Sequence, residues 1–515
     1  MKFLCSLKIL RASCLLVFIL NGCGPSLEKD EFSVIEASIA EIHQAVRSGE
    51  LTFKELTETY LNRIKKYDKR SRLNAILVTN PDALKTAEQL DREFQETGRM
   101  RPLHGIPLIV KDNYETKDMP TTAGSEALAG FIPPGDAFQV KKLREAGAVI
   151  LAKSNMAEWA FSPYQTQSSI AGITRNPYDL SRVPAGSSGG TAAAVSANFG
   201  MAGLGTDTGN SIRGPASHCC LVGLRSTMGL TSRDGIIPLY ERNDIGGPMT
   251  RTVEDAARIL DVIAGFDPAD PITEYSKDHV PDSYLPFLKK DSLQGARIGV
   301  FRFFTNLPYA DEEVKTLFEQ ALKDMQSQGA VLVDPFEIPE FTRLTKNLWC
   351  DSFRHDINHY FRSLGDAAPV KSLTEVYNSG KFSLYIKERL YKALEASTAE
   401  APPCRNIYQE PRNIALRKAV TNAMKNNKVD VIVYPTWNAP PNKITSPARR
   451  AGDNSQLIPP HTGLPAVSVP MGFTPENLPT GLQIVGQLFG EGRLLGIAYA
   501  YQQATSHRRP PEKFK

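Results

Sequence analysis

Arg182 to Thr231 reads RVPAGSSGGTAAAVSANFGMAGLGTDTGNSIRGPASHCCLVGLRSTMGLT. Two serines stand in glycine-rich settings, Ser187 in AGSSGG and Ser211 in GTDTGNSIRG, joined by a run of small residues. Glycine at this density lets a backbone turn several N–H groups toward one point, the geometry that stabilises a negative charge developing on oxygen. Two such loops so close together point to one site. Between them, Thr191 to Asn198 predicts a helix and Met201 to Gly205 a strand.

Outward from this stretch the alternation continues. Upstream, Ile106 to Val110 predicts a strand, Asp136 to Glu145 a helix and Ala148 to Ala152 a strand. Downstream come a helix at 253–265, a strand at 297–301, a helix at 311–327 and strands at 330–333, 430–434, 466–473 and 481–485. A helix at 492–505 closes the chain. Alternation of this kind implies an α/β sheet with helices on both faces and chemistry on loops at strand ends. Two amphipathic helices open the folded part, with capping-box spacing at Ser33 and Glu36 and again at Thr52 and Glu55. Ile35, Ile39, Ile42 and Val46 form the apolar stripe of the first; Phe53, Leu56, Tyr60, Ile64 and Tyr67 form that of the second. A third helix is predicted at 81–96. The region 339–427 is mostly helical by pattern.

Size and composition are those of a globular chain: 515 residues, 41% hydrophobic, with a net charge of only +4. Acids and bases are mixed throughout and no basic patch is interleaved with aromatics, so nucleic-acid binding has no support. The N-terminus, MKFLCSLKILRASCLLVFILNGC, sets Lys2, Lys8 and Arg11 ahead of a short apolar run from Leu15 to Leu20. That run is too short to span a bilayer and reads as a secretory signal. It ends in Leu20, Asn21, Gly22 and Cys23, which looks like a bacterial lipoprotein cleavage site with lipidation at Cys23. The expected division is a signal peptide at 1–22, a linker at 23–32 and one domain at 33–511. Cell-envelope localisation and attachment to a membrane through a lipid anchor follow as expectations. Cys219, Cys220, Cys350 and Cys404 remain in the folded part; without a CxxC pair they read as buried free thiols rather than a zinc cage or a disulfide framework.

Taken together, the two serine loops resemble the amidase signature family of serine amide hydrolases, whose hallmark is GSSGG followed, after a short helix, by GxDxGxSIRxP. The family's third element, a lysine ending an apolar strand, is matched by Lys111 in HGIPLIVKDN. The likeness runs from about Ser33 to Pro511 through GELTFKELTETYLNRI, AGAVILAKSNMAEWA, GPMTRTVEDAARIL and TGLPAVSVPMGF. GLTSRDGIIPL and the C-terminal stretch are similar to bacterial peptide-amidase-type members.

The resemblance implies a single large α/β/α domain around a twisted mixed sheet. It also implies catalytic roles for Ser211 as nucleophile, Ser187 as a bridging serine held by a cis peptide bond, and Lys111 as base. For Lys111 to accept a proton it must be neutral, and its place after Ile106 to Val110 gives the desolvation that lowers a lysine's pKa. Backbone N–H groups of Thr208, Gly209, Asn210 and Ser211 are the expected oxyanion donors. Asn210 stands where the family more often has glycine. Asp207 and Arg213 are expected to order the loop, and Ser188 to hydrogen-bond within the relay. The substrate is expected to be a small-molecule or peptide amide, with no cofactor and no metal. In such enzymes the region 339–427 lines the substrate entrance.

Rival readings are weaker. Gly186, Ser188 and Gly190 satisfy GxSxG, but RNPYDLSRVPA before them is no strand, as a nucleophile elbow requires. Ser26 and Lys29 spell SxxK without the accompanying SDN or KTG. His355 and His359 lie four apart with no evident third metal ligand. No glycine loop carries GK[ST]. Two whole-chain alternatives are a glutaminase-type subunit of a tRNA-dependent amidotransferase and a tethered binding protein that has lost its chemistry.

Overall fold

The computed structural model describes residues 32–396, 403–445 and 452–515. The expected signal peptide, Cys23 and the linker as far as residue 31 lie outside these. The described strands, in chain order, are β1 (Ile76–Thr79), β2 (Pro107–Lys111), β3 (Val149–Ser154), β4 (Gln167–Ser168), β5 (Gly172–Ile173), β6 (Ala202–Asp207), β7 (Val222–Arg225), β8 (Ile245–Thr250), β9 (Arg297–Val300), β10 (Val331–Val333), β11 (Val431–Pro435), β12 (Ala466–Phe473) and β13 (Pro479–Val485). β4 and β5 pair only with each other, and the other eleven form one sheet in the order β1-β3-β2-β6-β8-β7-β12-β13-β11-β9-β10. β2 is parallel to both β3 and β6, whereas the strands from β6 across to β11 alternate in direction. This is the mixed α/β/α architecture the family resemblance implies, with the helices on both faces that the alternation implies.

Helix starts follow local chemistry. The helix Phe53–Ser71 begins at the expected capping box, Thr52 with Glu55. The first helix begins later than its pattern predicts: Glu36 has φ of 60°, which breaks a helix, so the box is made by Ser38 and Glu41 and the helix runs Ile39–Arg47. Both helices bury their apolar stripes in the main core: Ile39, Ile42, Phe53, Leu56 and Tyr60 are shielded from water. β7 and β8 lie mid-sheet and were not expected. β8 reads IGGPMT, and two glycines and a proline remove the branched residues by which strands are recognised.

The helix Gly189–Ser196, GGTAAAVS, has no polar face because every residue in it is buried. It fits between its neighbours only through small side chains. A Cβ at Gly190 would stand 2.0 Å from the carbonyl oxygen of Asn155, and one at Gly203 on β6 would stand 2.5 Å from the Thr191 methyl. This close packing places Ser187 and Ser188 at the helix's entrance, beside the end of β6 where Asp207 to Ser211 emerge.

The region 339–427 is helical as expected, with helices at Phe353–Ser363, Leu373–Ser379, Lys387–Glu395 and Pro411–Asn426 among others. Phe353, Phe361, Leu373 and Leu390 form an apolar core with Trp159, separate from the main core under the sheet. Among the described residues no helix is long and apolar enough to cross a membrane. One thiol reading is corrected: Cys350 and Cys404 form a disulfide, and among the described residues Cys219 and Cys220 alone are buried free thiols.

Candidate active site

Lys111 ends β2 with its side chain wholly buried. Its Nζ donates to Ser187 Oγ at 2.7 Å and to Thr206 Oγ1 at 2.7 Å. Burial pushes the ammonium down to about 7, against the opposing pull of Asp244 and Asp207. A charged lysine loses its hydration here and gains no carboxylate contact in return, so the neutral amine is accessible near neutral pH.

The Gly186–Ser187 peptide is cis. The N–H of Ser188 donates to the carbonyl of Ser211 at 3.3 Å, which sets the two serine loops side by side. Ser188 Oγ bonds the carbonyl and the N–H of Thr206, each at 3.2 Å. The Ser188 hydroxyl therefore braces the end of β6 and, among the described residues, makes no hydrogen bond to the side chains of Lys111, Ser187 or Ser211, where a place within the relay was expected. Ser211 Oγ donates to Asn210 Oδ1 at 3.3 Å, while Asn210 Nδ2 faces the carbonyl of Pro163 at 3.4 Å. The Pro163 carbonyl settles which end of the carboxamide is which, because an oxygen turned toward it would be repelled.

Gly209, Asn210 and Ser211 line a cavity of about 460 Å³ with Thr208. Among the described residues, their three N–H groups have no protein acceptor and are left to a ligand. The loop carrying them is held from behind. Arg213 Nε donates to Asp207 Oδ2 at 3.0 Å, and its Nη2 to the Gly209 carbonyl at 2.6 Å. Arg225 Nη1 donates to Asp207 Oδ1 at 2.9 Å. Burial alone would raise the Asp207 carboxyl, but the two guanidiniums outweigh it and hold the group near 2. Asp207 and Arg213 thus order the loop, as expected, with Arg225 as an unforeseen third member.

Because all three are fully buried, Asp207→Asn leaves two guanidiniums facing one neutral amide. The expected cost is about 3–5 kcal/mol of stability, read as a lowered urea midpoint at pH 7. A loss within 1 kcal/mol would show that the clamp does not hold the loop.

Thr206, Asp244, Trp349 and Gln456 also belong to this site, and all but Thr206 carry no local signal in the sequence. Thr206 Oγ1 links Lys111 to Asn113, whose Nδ2 donates to it at 3.1 Å. Asp244 accepts from Thr208 Oγ1 at 2.5 Å and from the N–H groups of Leu239 and Tyr240 at 2.8 and 3.1 Å. Burial raises Asp244 to about 6. Alternation along β6 was the one available clue for Thr206, since β6 lies directly beside β2.

His355 and His359 share a face of their helix, rings 6.3 Å apart and nearly parallel. They face Asp356 and Glu241 respectively. Among the described residues no group of three or more His, Cys, Asp or Glu is placed to hold a metal ion.

Comparison with known proteins agrees with this geometry. The sequence model of the Amidase family matches residues 55–495. A probable amidase of Arabidopsis thaliana is 35% identical over 93% of this chain and 92% of its own length. A glutamyl-tRNA(Gln) amidotransferase subunit of Acinetobacter baumannii is 36% identical over 91% of this chain and 96% of its own. The crystal structure of the native peptide amidase from Stenotrophomonas maltophilia superimposes with a TM-score of 0.82 at 37% identity, covering 93% of this chain and 98% of that one. With its two serine loops, its buried strand-end lysine and its mixed sheet, the chain belongs to the amidase signature family, enzymes that act on amide C–N bonds.

Proposed function

We propose that this protein is an exported, lipid-anchored serine amidase that hydrolyses a carboxamide to a carboxylic acid and ammonia or an amine. The carrying observation is the 2.7 Å contact between the buried Lys111 amine and Ser187 Oγ, beside the loop of Ser211. In this reading Ser211 Oγ leaves Asn210 and turns its proton to Ser187 as its oxygen bonds to the substrate carbonyl. Ser187 passes its own proton to neutral Lys111. The carbonyl π pair moves to oxygen, where the N–H groups of Gly209, Asn210 and Ser211 receive the charge. Collapse of the tetrahedral intermediate breaks the C–N bond. The departing nitrogen takes a proton from Ser187, which is replenished by Lys111. Water then repeats the sequence on the acyl-enzyme, and the acid leaves.

The match to the peptide amidase supports hydrolysis as the outcome. The match to the amidotransferase subunit supports the alternative of a glutaminase working within a complex. The charged and apolar leader before Cys23 favours export, and the Cys350–Cys404 bridge supports an oxidising compartment.

The test is intact-mass spectrometry of the mature chain, beginning at Cys23, treated with a fluorophosphonate and with a panel of amides. The expected result is one adduct on Ser211 and release of ammonia or amine from at least one amide class. A folded protein giving neither sinks the enzyme reading in favour of a binding protein. Recovery of native protein in the cytosol, co-purifying with partner subunits, would move the reading to the amidotransferase.

A further inference from the structure

The cavity above Ser211 is walled by aromatic side chains that no step of this chemistry uses. Trp349 is 42% exposed, a large fraction for an indole, and its open face borders the cavity. Its edge reaches the loop beneath: a Cβ at Gly209 would lie 3.1 Å from the indole Cη2. The ring stands edge-on to His461 at 4.4 Å and tilted to Tyr240 at 6.2 Å. Burial pushes the His461 imidazole down to about 3, so its neutral form meets the indole. Elsewhere on the rim, the Arg389 guanidinium lies 4.7 Å over the Phe161 ring and donates to the Phe161 carbonyl. That cation is already engaged, so the rim formed by Phe161, Tyr240 and Trp349 presents aromatic surface, opposite the polar floor of Thr208, Asn210 and Ser211.

Trp349 belongs to no helix or strand; it lies between the helices Phe341–Leu344 and Phe353–Ser363. The next residue, Cys350, is bonded to Cys404, 54 positions along the chain. We propose that the Cys350–Cys404 disulfide fixes Trp349 as a specificity wall, and that the preferred substrate carries an aromatic or bulky apolar group on the acyl side of its amide. This rests on the reading of Ser211 as the nucleophile of an amide hydrolase. A flat aryl group gains from stacking on the indole and from displacing water off its open face. Anchoring the loop before substrate arrives removes an ordering cost that would otherwise weaken binding. Since the bridge is only partly buried, a reductant can reach it.

Ammonia release is to be measured on N-acetylphenylalaninamide and N-acetylglycinamide, two primary amides that differ only on the acyl side. The oxidised parent is expected to favour the first by about tenfold or more in kcat/KM, the range an apolar pocket supplies. Trp349→Ala and Cys404→Ser should each reduce that ratio by about fivefold or more, mainly through KM. Dithiothreitol on the unmutated enzyme, with free thiols rising by two, should reproduce the effect of Cys404→Ser even where that variant folds poorly. A parent ratio near one, a ratio unmoved by Trp349→Ala, or a ratio unmoved by confirmed reduction each overturns the proposal while amide turnover continues. A parent that neither labels at Ser211 nor releases ammonia from any amide overturns the underlying hydrolase reading, and this inference with it.

Discussion

Ser211→Ala is expected to reduce amide turnover by roughly 10⁴-fold or more while leaving the fold intact. The argument joins two observations. First, Ser211 lines the cavity beside three unpaired N–H groups, while the neighbouring Thr208 hydroxyl is engaged by Asp244, so without Ser211 the carbonyl has no covalent acceptor there. Second, its Oγ makes a single 3.3 Å hydrogen bond, to Asn210, and contributes little to stability. Loss of one such bond changes folding by about 1 kcal/mol. Turnover is checked by ammonia release under single-turnover conditions, and folding by the urea midpoint. A variant that folds and retains a tenth of parental turnover would remove Ser211 as nucleophile.

The second large effect concerns Lys111. In the parent, kcat/KM should rise with pH along an acid limb centred near 7, losing about tenfold per unit below it, because only the neutral amine accepts the proton. Lys111→Met should abolish this limb and lower kcat by roughly 10³-fold or more. Its effect on stability has the opposite sign. Between about 7 and the ordinary lysine value near 10.4, the unfolded chain binds a proton that the folded chain does not, so parental stability must rise with pH across that window. The slope is about 1.4 kcal/mol per pH unit. Lys153, buried beside Asp112 and lowered to about 8, adds a similar rise to parent and variant alike. The difference between their urea midpoints at pH 7 and pH 9 therefore isolates Lys111. An unchanged difference would mean that Lys111 is charged in the folded enzyme and is not the base.

The residues of the site were legible because the motifs that carry the family resemblance are local. Glycine loops, a lysine closing an apolar strand and an acid two residues before a glycine are all features of short windows, and the fold places them together without long-range surprise. What escaped the sequence depends on distant contacts. Asp244 meets Thr208 across 36 residues, and Gln483 meets Arg213 across 270. Neither pairing has a period or spacing by which it could be found. The disulfide escaped for the same reason: four cysteines allow several pairings, and only the fold chooses among them. Strands were missed at β1, whose ILVT is only four residues long, and at β8, whose glycines admit close neighbours: a Cβ at Gly247 would lie 2.5 Å from the Leu224 carbonyl oxygen. Pattern reading succeeded best in long helices such as Phe53–Ser71 and Glu312–Ser327, where caps and apolar spacing agree.

The separate apolar core of Phe353, Phe361, Leu373 and Leu390 has a bearing on how such an enzyme diversifies. Arg389 adjoins Leu390 of this satellite, apart from the helix Gly189–Ser196, where a Cβ at Gly190 would meet the Asn155 backbone and one at Gly189 the Thr166 and Pro184 side chains. One part of the molecule is thus held by its own tightness, while the satellite reaches the cavity through Ala160, Phe161 and Leu239, which line it together with Ser211. A change in the satellite therefore reshapes the wall a substrate meets, whereas a change in the tight helix displaces the serine loops themselves.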